Sequence, residues 1–272
     1  QRLGQRLTLA DYGLSLRRDD EWLVVLSDAI TLTEAEVRAV TAAATKWDAA
    51  ATPTSVYLAD HITAAGDPAR SIAYAVMASV PAGELPAAPG VPPLDDLRDD
   101  ELVLNAWAAQ DLGAQVGERF TITWRTSTPD GYEEHSAEVT LRAVVPMEGL
   151  GADPGLVPDF RGITDAIHIG DWDPPFPIDL SRITDRDEEY WDRYRAAPKA
   201  FVGAGLLRRA WQGDVGAAPW ITAVRIGPYP GGASEQQEYD LRRTIPAELR
   251  PEDAGMRFLP VREQALAAAR GP

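Results

Sequence analysis

The sequence predicts an α+β fold in two subdomains. Three observations lead to this prediction: a β-α-β piece opens the chain, a second closes it, and a proline-rich stretch over residues 81–100 leads into a different module between them. The five prolines, two glycines and final acidic run of that stretch indicate an extended linker. The 272 residues are enough for one large domain or two modest ones.

The opening piece combines short apolar strands with an amphipathic helix. Residues 22–27 (WLVVLS) form an apolar run of strand length. Thr33 and Glu36 have capping-box spacing, which predicts the start of a helix. Residues 54–60 and 71–80 are again typical of strands, so the first eighty residues predict the order β-α-β-β.

The middle module begins with LVLNAWAAQDLGAQVGERFTITW, residues 102–124. A short apolar run is followed by a helix over about residues 105–112, and Gly113 stands where a left-handed cap would end it. The alternating residues that follow predict a strand, Asp130-Gly131 predicts a hairpin turn, and residues 137–145 predict the returning strand.

Residues 146–199 are rich in Pro, Gly and Asp and show little periodicity. Only DEEYWDRYR within them has a helical pattern. Irregular segments of this length are uncommon inside compact domains and are often functional.

The closing piece follows a short strand and a helix that stops at Gly213. Residues 220–226 predict a strand, and Ser234 with Gln237 repeats the capping-box spacing at the start of a helix. Residues 256–262 predict a last strand, after which EQALAAARGP begins another helix.

The charge and composition exclude several classes of protein. The formal net charge is −16 and the sequence pI is about 4.6, so neither nucleic acid nor an anionic lipid surface is an expected partner. The chain has no cysteine, which removes disulfides and thiolate chemistry. No segment has the roughly 20 apolar residues of a membrane span. Because the first residue is Gln, we expect the chain to begin inside a longer reading frame.

The motifs of common catalysts are also missing. No G-x-S-x-G, S-x-x-K, Walker or dinucleotide-binding pattern is present, so the sequence nominates no nucleophile and no cofactor. His168 stands near Asp171 and Asp173, a set that could ligate a metal, but Asp residues in such loops commonly bond their own backbone. We therefore predict no catalytic, cofactor-binding or metal-binding residue.

An acidic helix and a group of aromatic residues remain as candidates. Acidic residues over 185–192 could supply a catalytic pair, yet arginines interleave with them as in a solvated helix with i, i+4 ion pairs. Aromatic residues of the same region could stack on sugar rings or on a partner protein, or could fasten the irregular segment to the domain. This candidate interaction surface consists of Trp172, Phe176, Tyr190, Trp191 and Tyr194.

Two segments resemble the extracytoplasmic domains of FtsX-like permeases, the class of ABC transporter subunits that includes MacB. The first has the pattern strand, Asn, small helix, L-G, V-G-E, strand, and the matching residues are Leu104, Asn105, Trp107, Leu112-Gly113 and Val116-Gly117-Glu118. The strand with RAVVPMEG (142–149) is similar to the family's return strand. The second segment, DWDPPFPIDLSRITDRDEEYWDRYRAAPKAFV (171–202), is similar to a longer signature of one bacterial branch.

The resemblance implies a fold and a function. Residues 1–90 and 216–272 would pack together as a porter-like βαβ core built from both chain ends, and residues 91–215 would form an inserted, Sabre-like mixed α/β subdomain. The domain would lie outside the cytoplasm in a cell-membrane protein. It would have no enzymatic activity, and it would couple ATP hydrolysis by a cytoplasmic ABC ATPase to movement against an extracytoplasmic protein or lipoprotein cargo. The full transporter would contain a permease dimer.

Two other functions stay open on the residues alone. A carbohydrate- or peptide-binding module would use the aromatic residues of 172–194 and would require a concave aromatic pocket. A hydrolase would require two carboxyl groups about 5–10 Å apart in one cleft, at least one of them with a raised pKa.

Overall fold

The computed structural model describes residues 7–87, 93–213 and 218–254. Within these ranges the strands are β1 (Leu14–Asp19), β2 (Trp22–Ser27), β3 (Ala51–Ala64), β4 (Asp67–Ser79), β5 (Glu101–Asn105), β6 (Arg119–Thr128), β7 (Gly131–Val145), β8 (Ala200–Val202) and β9 (Ala223–Ile226). The α-helices are α1 (Glu34–Lys46), α2 (Ala106–Leu112), α3 (Asp185–Tyr194), α4 (Ala204–Gln212) and α5 (Glu235–Glu248).

The nine strands form one sheet, and part of that sheet closes into a barrel. The strand order is β1-β2-β9-β3-β4-β8-β5-β7-β6, and β6 pairs again with β3. Six strands therefore form a closed ring of mixed parallel and antiparallel pairs, while β9, β2 and β1 extend from β3 as an outer layer. Closure leaves the ring without a free edge.

Strand β3 belongs to both parts of the sheet. Its first residues, Ala51–Thr54, pair with β9, and its last residues, His61–Ala64, pair with β6. Its other side pairs with β4 from Ser55 onward. The barrel and the outer layer therefore share one continuous strand.

Each part has its own apolar core. The largest cluster of buried residues takes members from all six barrel strands and from α2 and α4; Phe120, Ile62 and Met77 are among its fully buried side chains. A second cluster joins β1, β2 and β9 to α1 and α5. Short 3₁₀ helices and α3 cover the barrel over residues 149–194, where two smaller apolar clusters pack against it.

The predicted fold class, a βαβ core with an inserted subdomain, is wrong. Strands assigned to the insert pair directly with strands assigned to the core: Ala200 of β8 lies opposite Met77 of β4, and Thr123 of β6 lies opposite His61 of β3. In two separate subdomains, β3 and β4 would not pair with β6 and β8. Here they do, and these pairings help to close a single barrel. Strand β2 does pair with β9, so the two ends of the described chain share the outer layer.

Several predictions of local structure are confirmed, although the predicted topology is wrong. Thr33 and Ser234 both make capping boxes, and Gly113 ends α2 with a left-handed φ of 57°. The predicted hairpin joins β6 to β7. The predicted strand over 256–262 and the helix after it lie outside the described residues, as do residues 88–92 of the predicted linker.

Candidate functional site

Three of the five aromatic candidates are interior residues. Trp172, Tyr190 and Trp191 are each at most 6% exposed. The rings of Trp172 and Trp191 meet edge to face with centroids 5.1 Å apart, and Trp191 Nε1 donates to the Ile167 carbonyl oxygen at 3.0 Å. These side chains fasten the irregular segment to the barrel, and their faces are covered by protein.

The other two aromatic candidates are half-buried and lie in different places. Phe176 packs against Phe160, with ring centroids 6.0 Å apart, on the wall of an apolar cavity. Tyr194 lies beside Tyr190, and the Arg193 guanidinium covers its ring at 5.2 Å. The structure therefore does not bring the five residues together on one surface.

Tyr190 instead connects the irregular segment to β5. The Asn105 side chain is fully buried and donates from Nδ2 to the Tyr190 hydroxyl and to the Pro198 carbonyl oxygen, both at 3.0 Å. Its Oδ1 accepts from the Ala108 amide at 2.8 Å and so caps α2. The Tyr190 hydroxyl donates in turn to the Ala197 carbonyl oxygen at 2.9 Å. Sequence reasoning placed Asn105 in a motif but not in this network.

A buried ion pair lies next to this network. Lys199 Nζ donates to Asp187 Oδ1 at 2.7 Å, and the Trp107 and Tyr190 rings flank the ammonium group at 4.7 and 5.0 Å. The other carboxylate oxygen of Asp187 accepts from the backbone amide and the hydroxyl of Thr184 at 3.0 and 2.7 Å. Both charged groups are almost completely enclosed, with side chains 6% and 4% exposed.

The pKa values of this pair reflect both burial and attraction. Burial by itself would raise the pKa of Asp187, but the Lys199 charge and the hydrogen bonds from Lys199 and Thr184 outweigh it and lower the pKa. Burial lowers the pKa of Lys199, and Asp187 opposes that shift. Sequence reasoning missed the pair, although Lys199 is one of only two lysines in the chain and precedes an apolar strand.

Asp187 also lines a polar cleft of about 500 Å³. Asp111, Arg182 and His61 line it together with Asp187. Burial raises the pKa of Asp111, and the charge of Arg186, whose Nε lies 2.6 Å from the carboxylate, opposes the rise. Two carboxyl groups thus share a cleft, as a hydrolase would require, but each is already bound by a basic side chain.

His168 does not meet the aspartates that the sequence suggested. Its Nδ1 lies 4.0 Å from Glu188 Oε2 and 4.0 Å from Asp192 Oδ1, on the exposed side of α3. The two oxygens of Glu188 accept hydrogen bonds from the amides of Ile169 and Gly170. The Glu188 carboxylate therefore caps the first amides of the short 3₁₀ helix Ile169–Asp171.

An apolar cavity of about 400 Å³ lies between β3, the end of β6 and the irregular segment. Most of its wall is aromatic, aliphatic or proline side chain. Trp211 meets the Tyr57 ring edge to face at 5.0 Å and donates from Nε1 to the Val56 carbonyl oxygen at 3.0 Å, and Tyr57 donates to the Arg125 carbonyl oxygen at 2.6 Å. Burial and the nearby Asp60 raise the pKa of Tyr57 to about 12.

Asp60 and Arg125 supply the charges of this cavity. Arg125 Nε lies 3.1 Å from Asp60 Oδ2, and the residue Asp60 is 9% exposed. The contact is close enough to balance the charge but lacks the geometry of a hydrogen bond. Asp60 Oδ2 accordingly has no hydrogen-bond partner within the described part of the chain. Burial raises the pKa of Asp60, and Arg125 opposes the rise.

No protein-family model matches the chain, and no curated protein matches it either. Among the helices of residues 7–87, 93–213 and 218–254, none combines the length and the apolar character needed to cross a membrane.

Proposed function

We propose that this chain is the extracytoplasmic domain of an FtsX-like, MacB-like ABC transporter permease and that it acts without catalysing a reaction. Its partners would be a cytoplasmic ABC ATPase, reached through the membrane helices of the full-length protein, and an extracytoplasmic protein or lipoprotein cargo. A permease dimer would form the transporter. The resemblance of residues 102–124 and 171–202 to such domains is the starting point, although the porter-like core that it implied is not present.

One structural observation carries the proposal: the two resembling segments are bound to each other inside the protein. Strand β5 pairs with β8, so that Val103 lies opposite Phe201. The hydrogen bonds of Asn105 to Tyr190 and Pro198 add side-chain contacts between the same two segments. The residues of the longer segment thus stiffen the barrel. A rigid domain suits the proposed role, in which movement of the membrane helices is passed on to the cargo.

The course of the chain supports the same function. The Tyr12 hydroxyl donates to the Leu249 carbonyl oxygen at 3.3 Å in a buried contact between the first and last described segments. Helices α1 and α5 pack together nearby, and Trp47 Nε1 donates to Thr244 Oγ1 at 3.1 Å. Contact between the first and last described segments suits a domain that is held to a membrane through both of them.

Single-cysteine labelling of the full-length gene product in its own cells tests the proposal. The described chain offers exposed Val116 for a Val116→Cys variant, and the 272 residues contain no cysteine of their own. A membrane-impermeant maleimide should label this variant on intact cells. An Ala78→Cys variant, at a fully buried position, is the matched control and should stay unlabelled in the folded protein.

Labelling of Val116→Cys only after the cells are opened would overturn the extracytoplasmic assignment. The same cells test the partner: the full-length protein should copurify in detergent with an ATPase that carries a Walker sequence. Purification without any such ATPase, in a preparation that is labelled from outside, would overturn the transporter assignment and leave an extracytoplasmic domain of another kind.

A further inference from the structure

The apolar cavity beside Asp60 has the properties of a ligand site. Its volume of about 400 Å³ falls within the range of roughly 300–1,000 Å³ that is usual for small-molecule pockets. Rings of Tyr57, Phe160, Phe176 and Trp211 form much of its wall, and few polar groups reach it. Pockets of this kind take an apolar ligand whose orientation is fixed by a small number of polar contacts.

Asp60 provides an unused polar contact in that wall. A buried carboxylate oxygen normally accepts a hydrogen bond, because leaving it unsatisfied costs the free energy of its lost hydration. Asp60 Oδ2 has no such bond with any described residue, although Arg125 Nε balances its charge at 3.1 Å. Among the described residues that line the cavity, Asp60 and Arg125 are the charged ones, so Asp60 supplies the carboxylate acceptor of its wall.

We propose that this cavity binds a small, neutral, mostly apolar molecule that donates one hydroxyl or N–H hydrogen bond to Asp60. Neutrality follows from the local charges. Two acidic groups, Asp60 and Glu134, act at this place together with two basic groups, Arg125 and Arg182. Because these charges balance, neither a cationic nor an anionic ligand gains a net attraction that offsets the loss of its hydration. The proposal is independent of the transporter function.

The mouth of the cavity lies at the end of the β6–β7 hairpin. Ser127 and Tyr132 are paired across the hairpin, line the cavity and are exposed. The Tyr132 hydroxyl donates to the Pro175 carbonyl oxygen at 3.1 Å, which joins the hairpin to the irregular segment in the cavity wall. A large side chain at Ser127 should therefore obstruct the cavity without replacing a core residue.

Fluorescent-probe binding to the 272-residue protein tests the proposal. N-phenyl-1-naphthylamine is neutral, largely aromatic and carries one N–H donor, and its emission rises in apolar surroundings. We expect a saturable rise in emission with the unmodified protein. Ser127→Trp should weaken binding at least tenfold. Ser136→Trp, at an exposed serine of β7 outside the cavity wall, is the matched control and should bind as the unmodified protein does.

A pair of competitors isolates the hydrogen bond. 4-Phenylphenol and 4-methylbiphenyl have nearly the same shape but differ by a hydroxyl in place of a methyl group. A hydrogen bond to a charged group is worth about 1.5–3 kcal/mol, so 4-phenylphenol should displace the probe at concentrations about 10- to 100-fold lower. Asp60→Asn should shrink that preference several-fold, provided that its circular dichroism spectrum is unchanged.

Each result decides a part of the proposal. Unsaturable emission, or equal binding by Ser127→Trp and Ser136→Trp, would show that the cavity takes no ligand of this class. Saturable binding in which the two competitors act at equal concentrations would refute the role of Asp60. Should Asp60→Asn not fold, the ratio of the two competitors on the unmodified protein still tests the hydrogen bond.

Discussion

Asp187 and Asp60 are both buried carboxylates that lie against a basic side chain, and their surroundings differ in an instructive way. Asp187 accepts from Lys199 and from Thr184, and its oxygens are used. Asp60 lies beside Arg125 but keeps one buried oxygen without a hydrogen bond from any described residue. The first carboxylate lies among the packed residues that bind the long segment to the barrel, and the second faces a cavity. The contrast separates a group whose hydrogen bonds hold the fold together from one that we propose to bind a ligand.

The Lys199–Asp187 pair gives the largest expected effect. Lys199→Met should lower the free energy of unfolding by about 3–5 kcal/mol, because removing one member of a buried pair leaves the other charge uncompensated. Urea denaturation at pH 7 measures this change. Lys46→Met is the control: Lys46 pairs with Glu248 at the surface, and its loss should cost about 1 kcal/mol or less. Equal losses of unfolding free energy in the two variants would show that the buried ion pair contributes no more to stability than the surface pair.

Asn105 gives the next largest effect on the same region. Asn105→Ala removes the cap of α2 and leaves the Tyr190 hydroxyl and the Pro198 carbonyl oxygen with fewer partners, so we expect a loss of about 1–3 kcal/mol. Gln110→Ala, at an exposed position of the same helix, should change stability by about 0.5 kcal/mol at most. A thermal unfolding scan of both variants checks the difference. A loss no greater than that of Gln110→Ala would contradict the proposed link between the two segments.

The smallest effect is a difference in pH dependence. The pKa of Asp187 is lowered on folding, so its contribution to stability is present above its unfolded pKa and is lost as pH falls through its folded pKa. The pKa of Asp60 is raised, so its contribution is present below its unfolded pKa and is lost as pH rises through its folded pKa. Relative to Asp187→Asn, the unmodified protein should lose stability on acidification below about pH 4.

Asp60→Asn should show the opposite trend. Relative to this variant, the unmodified protein should become less stable as pH rises from about 4 towards neutrality. Denaturation midpoints measured between pH 3 and 7 for the three proteins check both signs. Parallel curves for the two variants would mean that the two carboxylates do not differ as their surroundings indicate.

The sequence predicted the local structure well because the relevant signals are local. Thr33 with Glu36, and Ser234 with Gln237, satisfy free backbone amides within one helical turn. Gly113 accepts a left-handed φ that other residues adopt less readily. Such signals depend on neighbours a few residues away, so they can be recognised in the sequence without any knowledge of the fold.

Barrel closure could not be predicted in the same way. It depends on the pairing of His61–Ala64 with Phe120–Thr123, and nothing in either segment specifies the other as its partner. The aromatic residues show the same limit. Trp172 and Tyr190 are of residue types that are common in binding surfaces, but both side chains are buried in the protein. Asp60 could have been noticed in the sequence, because it is a single carboxylate within an otherwise apolar stretch of strand β3. A carboxylate is seldom buried unless it has a specific partner.

Strand β3 has a further consequence for how the molecule comes apart. Because its first residues complete the outer layer and its last residues close the barrel, neither layer can be excised without removing a strand from the other. Local opening that releases β3 would disrupt hydrogen bonds on both sides at once. The amides of this strand should therefore exchange with solvent only in the rarest openings, and the two layers should melt as one cooperative unit.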